Sequence, residues 1–319
     1  MSKLSLLAQP QKKCQIWQRI KRDRYLYLLI APGIIFFLIF SYAPMYGLIL
    51  AFKEFQFDKG ILYSPWVGFN NFIIMFGDND FWAAFKNTII ISGGKLLTAF
   101  PAPIILALLL NELTSSKFKR IVQSIMYLPH FLSWVIIAGI IYGLLSSTDG
   151  VVTKIVQGMF NADMPQIISN YRYARSLIFT SNIWQSVGWG TIIYLAAIAG
   201  IDPSFYESAM IDGANRFHRM IYITLPSLSY AILILFILQI GGIMNAGFDQ
   251  IINLYSPSTY NVLDILDTYV YRIGIANASG VSHMEYGVAV GLVESVLNLC
   301  LLLFANSIII KRLGRESFI

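Results

Sequence analysis

Five side chains suited to binding rather than to reaction stand inside long apolar stretches of this sequence: Asn182, Gln185, Trp189, Gln239 and Asn245. Burying amides without partners costs free energy, so in such a setting they either bond to one another or serve a ligand. Amides meet hydroxyl groups and an indole meets the apolar face of a sugar ring, so the set fits the wall of a carbohydrate passage. Asn182, Gln185 and Ser186 can share a helix face with Trp189. The competing role is interhelical hydrogen bonding that only holds a bundle together. Lys95 and Glu294 also lie within apolar stretches. A charge at the centre of a bilayer costs at least about 2.5 kcal/mol, so each is expected to face protein or water. They could pair, or either could belong to the passage.

Reactive constellations are missing from the same inventory. Gly93-Gly94-Lys95 lacks the upstream Gly and the following Ser or Thr of a phosphate-binding loop, and lies in an apolar run. Three His (His130, His218, His283) and two Cys (Cys14, Cys300) form no spacing for a metal or a nucleophilic triad. No catalytic residue, metal site or cofactor is expected on this chain, which excludes an enzyme. A proton relay would need a series of intramembrane acids, and Glu294 has none. His130, after Pro129, is expected to pack between helices. Cys14 and Cys300 fall in different compartments and are not expected to pair.

The elements that must position these residues follow from composition. The chain is 56% hydrophobic and 13% charged, where soluble domains run at about 25% charged. Apolar runs near the 20 or so residues that a membrane helix needs cover 26–52, 85–110, 121–145, 177–200, 227–244 and 286–310. No alternating strand pattern is present, so a β-barrel is not expected. The first run is too long for a signal peptide and no cleavage site follows it. The expectation is an all-α polytopic membrane protein with six transmembrane helices. Residues 1–24 form a basic arm, amphipathic over 15–24, and 25–319 form one transmembrane domain with its core at 85–310. Residues 149–173 and 247–284 read as external connections.

Orientation follows from basic residues. Lys12, Lys13, Arg19, Lys21, Arg22 and Arg24 precede the first span; Lys117, Lys119 and Arg120 join the second to the third; Arg216 and Arg219 join the fourth to the fifth; Lys311, Arg312 and Arg315 end the chain. All fall on one side of a six-span topology, which the positive-inside rule makes cytoplasmic. Both termini are therefore expected inside. The net charge of +6 is explained by this topology and by membrane lipid, without a nucleic-acid partner.

The connection 201–226 is polar between two apolar spans. Asp202 can cap a helix whose first residue is Pro203. Gly213 can end it in a left-handed turn. A second short helix is expected over 215–224, before Leu225-Pro226.

That segment resembles the coupling loop of the permease subunits of ABC importers. The pattern is carried by Glu207, Ser208, Ala209, Gly213, Ile223, Leu225 and Pro226, with Ser208 where the family usually has Ala. Gly68, Asn71 and Phe72, then Phe81, Phe85 and Asn87-Thr88, are similar to the sugar permeases. Met126-Tyr127-Leu128-Pro129-His130 with Phe131-Leu132-Ser133-Trp134 is similar to their oligosaccharide and polysaccharide branch. The resemblance implies a type I importer permease fold in the bacterial cytoplasmic (inner) membrane. It implies that Phe205, Tyr206, Glu207, Ser208, Ala209, Met210, Asp212 and Gly213 dock on a separate ATPase, where ATP and Mg bind. It further implies a second permease subunit, two ATPase subunits and an extracytoplasmic solute-binding protein. Rival expectations are a permease for amino acids, peptides or phosphate, and an ion-coupled transporter, for which internal repeats and intramembrane acids are wanting.

Overall fold

Side-chain caps open six of the twelve main helices of this computed structural model, which describes residues 21–160, 166–275 and 283–313. Asp78, Ser115, Ser133, Asn170, Asp202 and Asn215 each accept a hydrogen bond from a backbone N–H of the helix they precede. The caps satisfy donors that would otherwise be stranded, and several lie within or beside apolar surroundings. The main helices are α1 (Arg24–Phe37), α2 (Asn79–Thr98), α3 (Pro101–Asn111), α4 (Ser116–Tyr127), α5 (Trp134–Leu145) and α6 (Tyr171–Ala199). They continue with α7 (Pro203–Ile211), α8 (Arg216–Arg219), α9 (Ser229–Gly241), α10 (Phe248–Leu254), α11 (Leu266–Gly274) and α12 (Met284–Leu313). Among the described residues there is no sheet, only an isolated bridge between Lys53 and Trp66.

Three stretches are long and apolar enough to cross a membrane as they stand: Arg24–Phe52, Asn79–Asn111 and Met284–Ser307. Three bent pairs pass the same test only together, giving up to six spans. The run expected as one span over 121–145 is in fact broken, with α4 and its extension to Phe131 meeting α5 at 103°. Pro129 removes a donor in the short 3-10 turn Leu128–Phe131, and Ser133, in an extended conformation, caps α5 afresh. The fifth run also ends early: α9 stops at Gly241, and α8 with its extension bends by 57° into it.

Residues 247–275 are no loose external loop. Ile251, Leu254, Leu263, Ile265, Leu266 and Tyr269 are all buried. Asn87 of α2 donates to the carbonyls of Asn261 and Asp264 and accepts from Arg175 of α6. The Thr88 hydroxyl accepts from Leu266 N–H. The Asn-Thr pair thus ties this segment to two helices.

The core consists of three clusters: one among Ala43–Phe52, α2, α11 and α12, one among α2, α5, α6 and α10, and one among α3, α6 and the start of α9. α1 buries no side chain, while Ala43–Phe52 packs on α12. Residues 1–20 of the basic arm, with Cys14, lie outside the described residues, as do 314–319. Cys300 is a free, exposed thiol.

Candidate functional site

A cavity of about 500 Å3 opens between α2, α3, α6, α9 and the turn that follows α9. Its wall contains Asn182, Ser186 and Trp189 of α6, Gln239 of α9, Asn245 of the turn, and Lys95 of α2. Four of the five residues expected at a passage are therefore brought together, and Gln185 is not. Stepping by about 100° per residue, positions 182, 186, 189, 190 and 193 form one face. Gln185 falls outside its edge, and Ser186 takes its place at the wall.

Trp189 is held by aromatic neighbours. The His130 ring stacks on it, 4.6 Å between centroids and 6° from parallel, and Phe131 approaches edge-on at 5.9 Å. His130 is a packing residue, as its setting implied. The bend between α4 and α5 reaches α6 because Gly188 lacks a side chain: a Cβ there would lie 1.9 Å from the Met126 carbonyl oxygen. The motif around Pro129 thus sets the indole against the cavity.

Lys95 sits beside the cavity midway along the Asn79–Asn111 stretch. Its ammonium donates to the Ala246 carbonyl at 2.6 Å. That carbonyl is available because the chain between α9 and α10 is not helical. Irregular backbone at such depth is tolerated where it lines a cavity. Among the described residues no ion pair joins Lys95 to Glu294.

The connection 201–226 folds largely as its sequence indicates. Asp202 accepts from Ser204 N–H at 2.9 Å, and that bond holds its pKa below the usual carboxylate value. Pro203 opens α7. Gly213 adopts φ +78°, and Ala214 N–H and Gly213 N–H return to the carbonyls of Ala209 and Met210. That pair of bonds is a Schellman turn, in which the left-handed residue must avoid Cβ strain. The second helix covers the expected stretch but changes winding, with α8 passing into a π-helical turn, Met220–Thr224. Tyr206 Oη and Thr224 Oγ1, 3.0 Å apart, join the two short helices.

Outward, the same unit presents large apolar side chains: Phe205 is 60% exposed, Met210 52% and Ile211 87%. Glu207, Ser208 and Asp212 are exposed as well, while Ala209 is half-buried. Ile211, at the tip, is an apolar residue that no motif marks in the sequence. A smaller cavity lined by Asn111, Lys119, Gln123, Ala199 and Tyr206 places the 2–3 and 4–5 connections at the same end of the bundle. Lys119, one of the basic residues that indicate orientation, lies in that lining.

Comparisons with known proteins agree with this architecture. Residues 99–313 match the family described as "Binding-protein-dependent transport system inner membrane component". The chain is 42% identical to Protein LplB of Bacillus subtilis (strain 168), over 93% of this chain and 92% of LplB. It is 38% identical to the polygalacturonan/rhamnogalacturonan transport system permease protein YteP of the same organism, over 98% and 95%. Among solved structures, the bacterial alginate ABC transporter in complex with its alginate pentasaccharide-bound periplasmic protein contains a chain of the same fold. Its TM-score is 0.85 at 39% identity, covering 95% of this chain and 99% of that one. A second structure, of a bacterial ABC transporter that imports the acidic polysaccharide alginate, gives 0.84 and 40%, over 93% and 99%. With its broken helices, central cavity and protruding two-helix connection, this chain is a multi-pass transport subunit, not an enzyme, and belongs to the family of binding-protein-dependent transport system inner membrane components.

Proposed function

We propose that this chain is one of two permease subunits of an ATP-driven importer in the bacterial cytoplasmic membrane, and that its cargo is an oligosaccharide. The observation that carries the reading is the cavity in which Trp189 meets Asn182, Ser186, Gln239 and Asn245. Its volume of about 500 Å3 falls within the range of about 300–1,000 Å3 usual for ligand sites. One apolar ring with several amides around it matches the alternating faces and hydroxyls of a pyranose. Relatives named for polygalacturonan, rhamnogalacturonan and alginate support the saccharide class.

Six spans with both termini in the cytoplasm place 201–226 inside. There Phe205, Met210 and Ile211 enter a groove of a separate ATPase, which binds ATP and Mg. Glu207 pairs with a basic group or helix end of that ATPase, and Gly213 sets the turn. A second permease closes the other side of the cavity, and an extracytoplasmic binding protein delivers the sugar. The exposed, mutually tied helices α7 and α8 support this role, since a docking device must be rigid to transmit force.

The test is ATPase activity of the reconstituted complex with binding protein loaded with oligosaccharide, comparing wild type with Glu207→Lys and Gly213→Asp. Both variants are expected to lose substrate-stimulated hydrolysis and to shed the ATPase. Unchanged stimulation and uptake would reduce the loop to a connector.

A further inference from the structure

Lys95 has a setting that the oligosaccharide reading leaves unexplained. Among the described residues it is the one charged side chain in the cavity wall. Its ammonium has three donor hydrogens, and the hydrogen bond to Ala246 O at 2.6 Å uses one of them. Among the described residues no carboxylate forms an ion pair with it. The backbone also gives it room. Gly247 lies at φ +93°, and a Cβ there would stand 2.6 Å from Lys95 Nζ. A side chain at 247 would thus meet both left-handed strain and the ammonium.

We infer that Lys95 is a specificity-determining residue that receives a carboxylate of the transported sugar, so that the passage is built for uronate-bearing oligosaccharides. The inference rests on the oligosaccharide reading above and narrows its substrate class. A cation at a cavity in apolar surroundings is poorly compensated by one carbonyl, and an anion passing through supplies the missing charge. Lys suits transit better than Arg: a compact point charge releases a carboxylate more readily than a bidentate fork does. Asn182, Ser186, Gln239 and Asn245 surround the same space and are neutral, so they hold hydroxyls without competing for the charge.

The experiment uses the full complex in liposomes, with binding protein loaded with a labelled oligogalacturonide or with a neutral oligosaccharide of equal length. Uptake and ATP hydrolysis are read together for wild type, Lys95→Gln and Lys95→Arg. Lys95→Gln is expected to lower galacturonide uptake about tenfold or more, with ATP hydrolysis still stimulated by the loaded binding protein, and Lys95→Arg to recover most of it. Equal galacturonide uptake by Lys95→Gln and wild type overturns the inference. So does a joint fall in uptake, hydrolysis and thermal stability that Lys95→Arg leaves unrepaired, which would make Lys95 a tether for Ala246 or a partner-subunit contact. Wild-type uptake of the neutral sugar alone overturns the acidic class and leaves the saccharide reading standing. Uptake of neither sugar removes both.

Discussion

Asp78 shows how much one side chain can hold at a helix start. It caps α2 through Asp80 N–H at 2.9 Å and accepts from the hydroxyls of Tyr269 and Tyr286. Burial works against its charged form, but those donors outweigh burial and keep its pKa below the ordinary carboxylate value. Tyr269 is pushed the other way, by burial and by the carboxylate beside it. A carboxyl group with a depressed folded pKa stabilises the fold above its unfolded pKa of about 3.9, and the contribution fades as pH falls through the folded value. Asp78→Asn is therefore expected to cost about 1 kcal/mol at neutral pH, seen as a lower melting temperature of the purified complex. The gap to wild type should close on acidification below about pH 4; a gap constant with pH would mean that the carboxylate charge contributes nothing. None of this is legible in the sequence, where Asp78 is one acid shortly before the second apolar run. Its tyrosine partners lie 191 and 208 positions away, and no local spacing joins them. By contrast, Asn182, Trp189, Gln239 and Asn245 stand out because polar groups in apolar runs are costly and must be used. Gln185 lies off the cavity wall; a helix wheel gives a face without saying where the face is centred.

At the scale of elements, what is legible in the sequence and what is hidden separate by the range of the cause. Asp202, Pro203 and Gly213 act within a turn of their own backbone, so α7 and its end are readable from the sequence alone. The bend between α4 and α5 is not. Apolar composition runs straight through it, and membrane helices often absorb a proline without breaking. The available signal is Ser133 ahead of Trp134, a cap within an apolar run, three residues past a Pro-His pair. What fixes the bend is long-range: the Met126 carbonyl lies against Gly188 of α6, where a Cβ would stand 1.9 Å away. Substitution by even a small side chain must push the helices apart, and overpacking of this kind costs about 1–3 kcal/mol. Gly188→Leu is expected at or beyond the upper end, with a melting temperature well below wild type and weaker oligosaccharide stimulation, because Trp189 and His130 move with the bend. Gly143→Leu on α5, where a Cβ meets open space, serves as the contrast and should fold normally. Equal behaviour of the two variants would show that the close approach is dispensable.

For the whole molecule, the arrangement separates the exposed two-helix connection from the cavity. The two short helices of 201–226 stand at the end of the bundle that also carries Asn111, Lys119 and Ala199. The cavity, in turn, is bounded by Lys95, Trp189 and Gln239 on helices that lead toward that end. α6 is continuous from Tyr171 to Ala199 and then bends by 73° into α7, so under the proposed coupling a force applied at Phe205 or Met210 would reach the cavity wall along one helix. An ATP-driven shift requires that ATP, acting through the loop, favour one arrangement over the other, since a ligand with equal affinity for both moves nothing. Accessibility of the cavity should then switch sides. With Cys14 and Cys300 replaced by Ser, Ser186→Cys at the wall is expected to react with a membrane-impermeant thiol reagent from the cytoplasmic side in the nucleotide-free complex. After trapping with ATP and vanadate it should react from the external side, each rate changing by about tenfold, which corresponds to a bias of about 1.4 kcal/mol. The Gly213→Asp complex, its left-handed turn after α7 disrupted, should keep the nucleotide-free pattern whatever is added. If Ser186→Cys labels from one side in both states, the helices around the cavity do not rock. The bend that joins α6 to α7 would then transmit nothing.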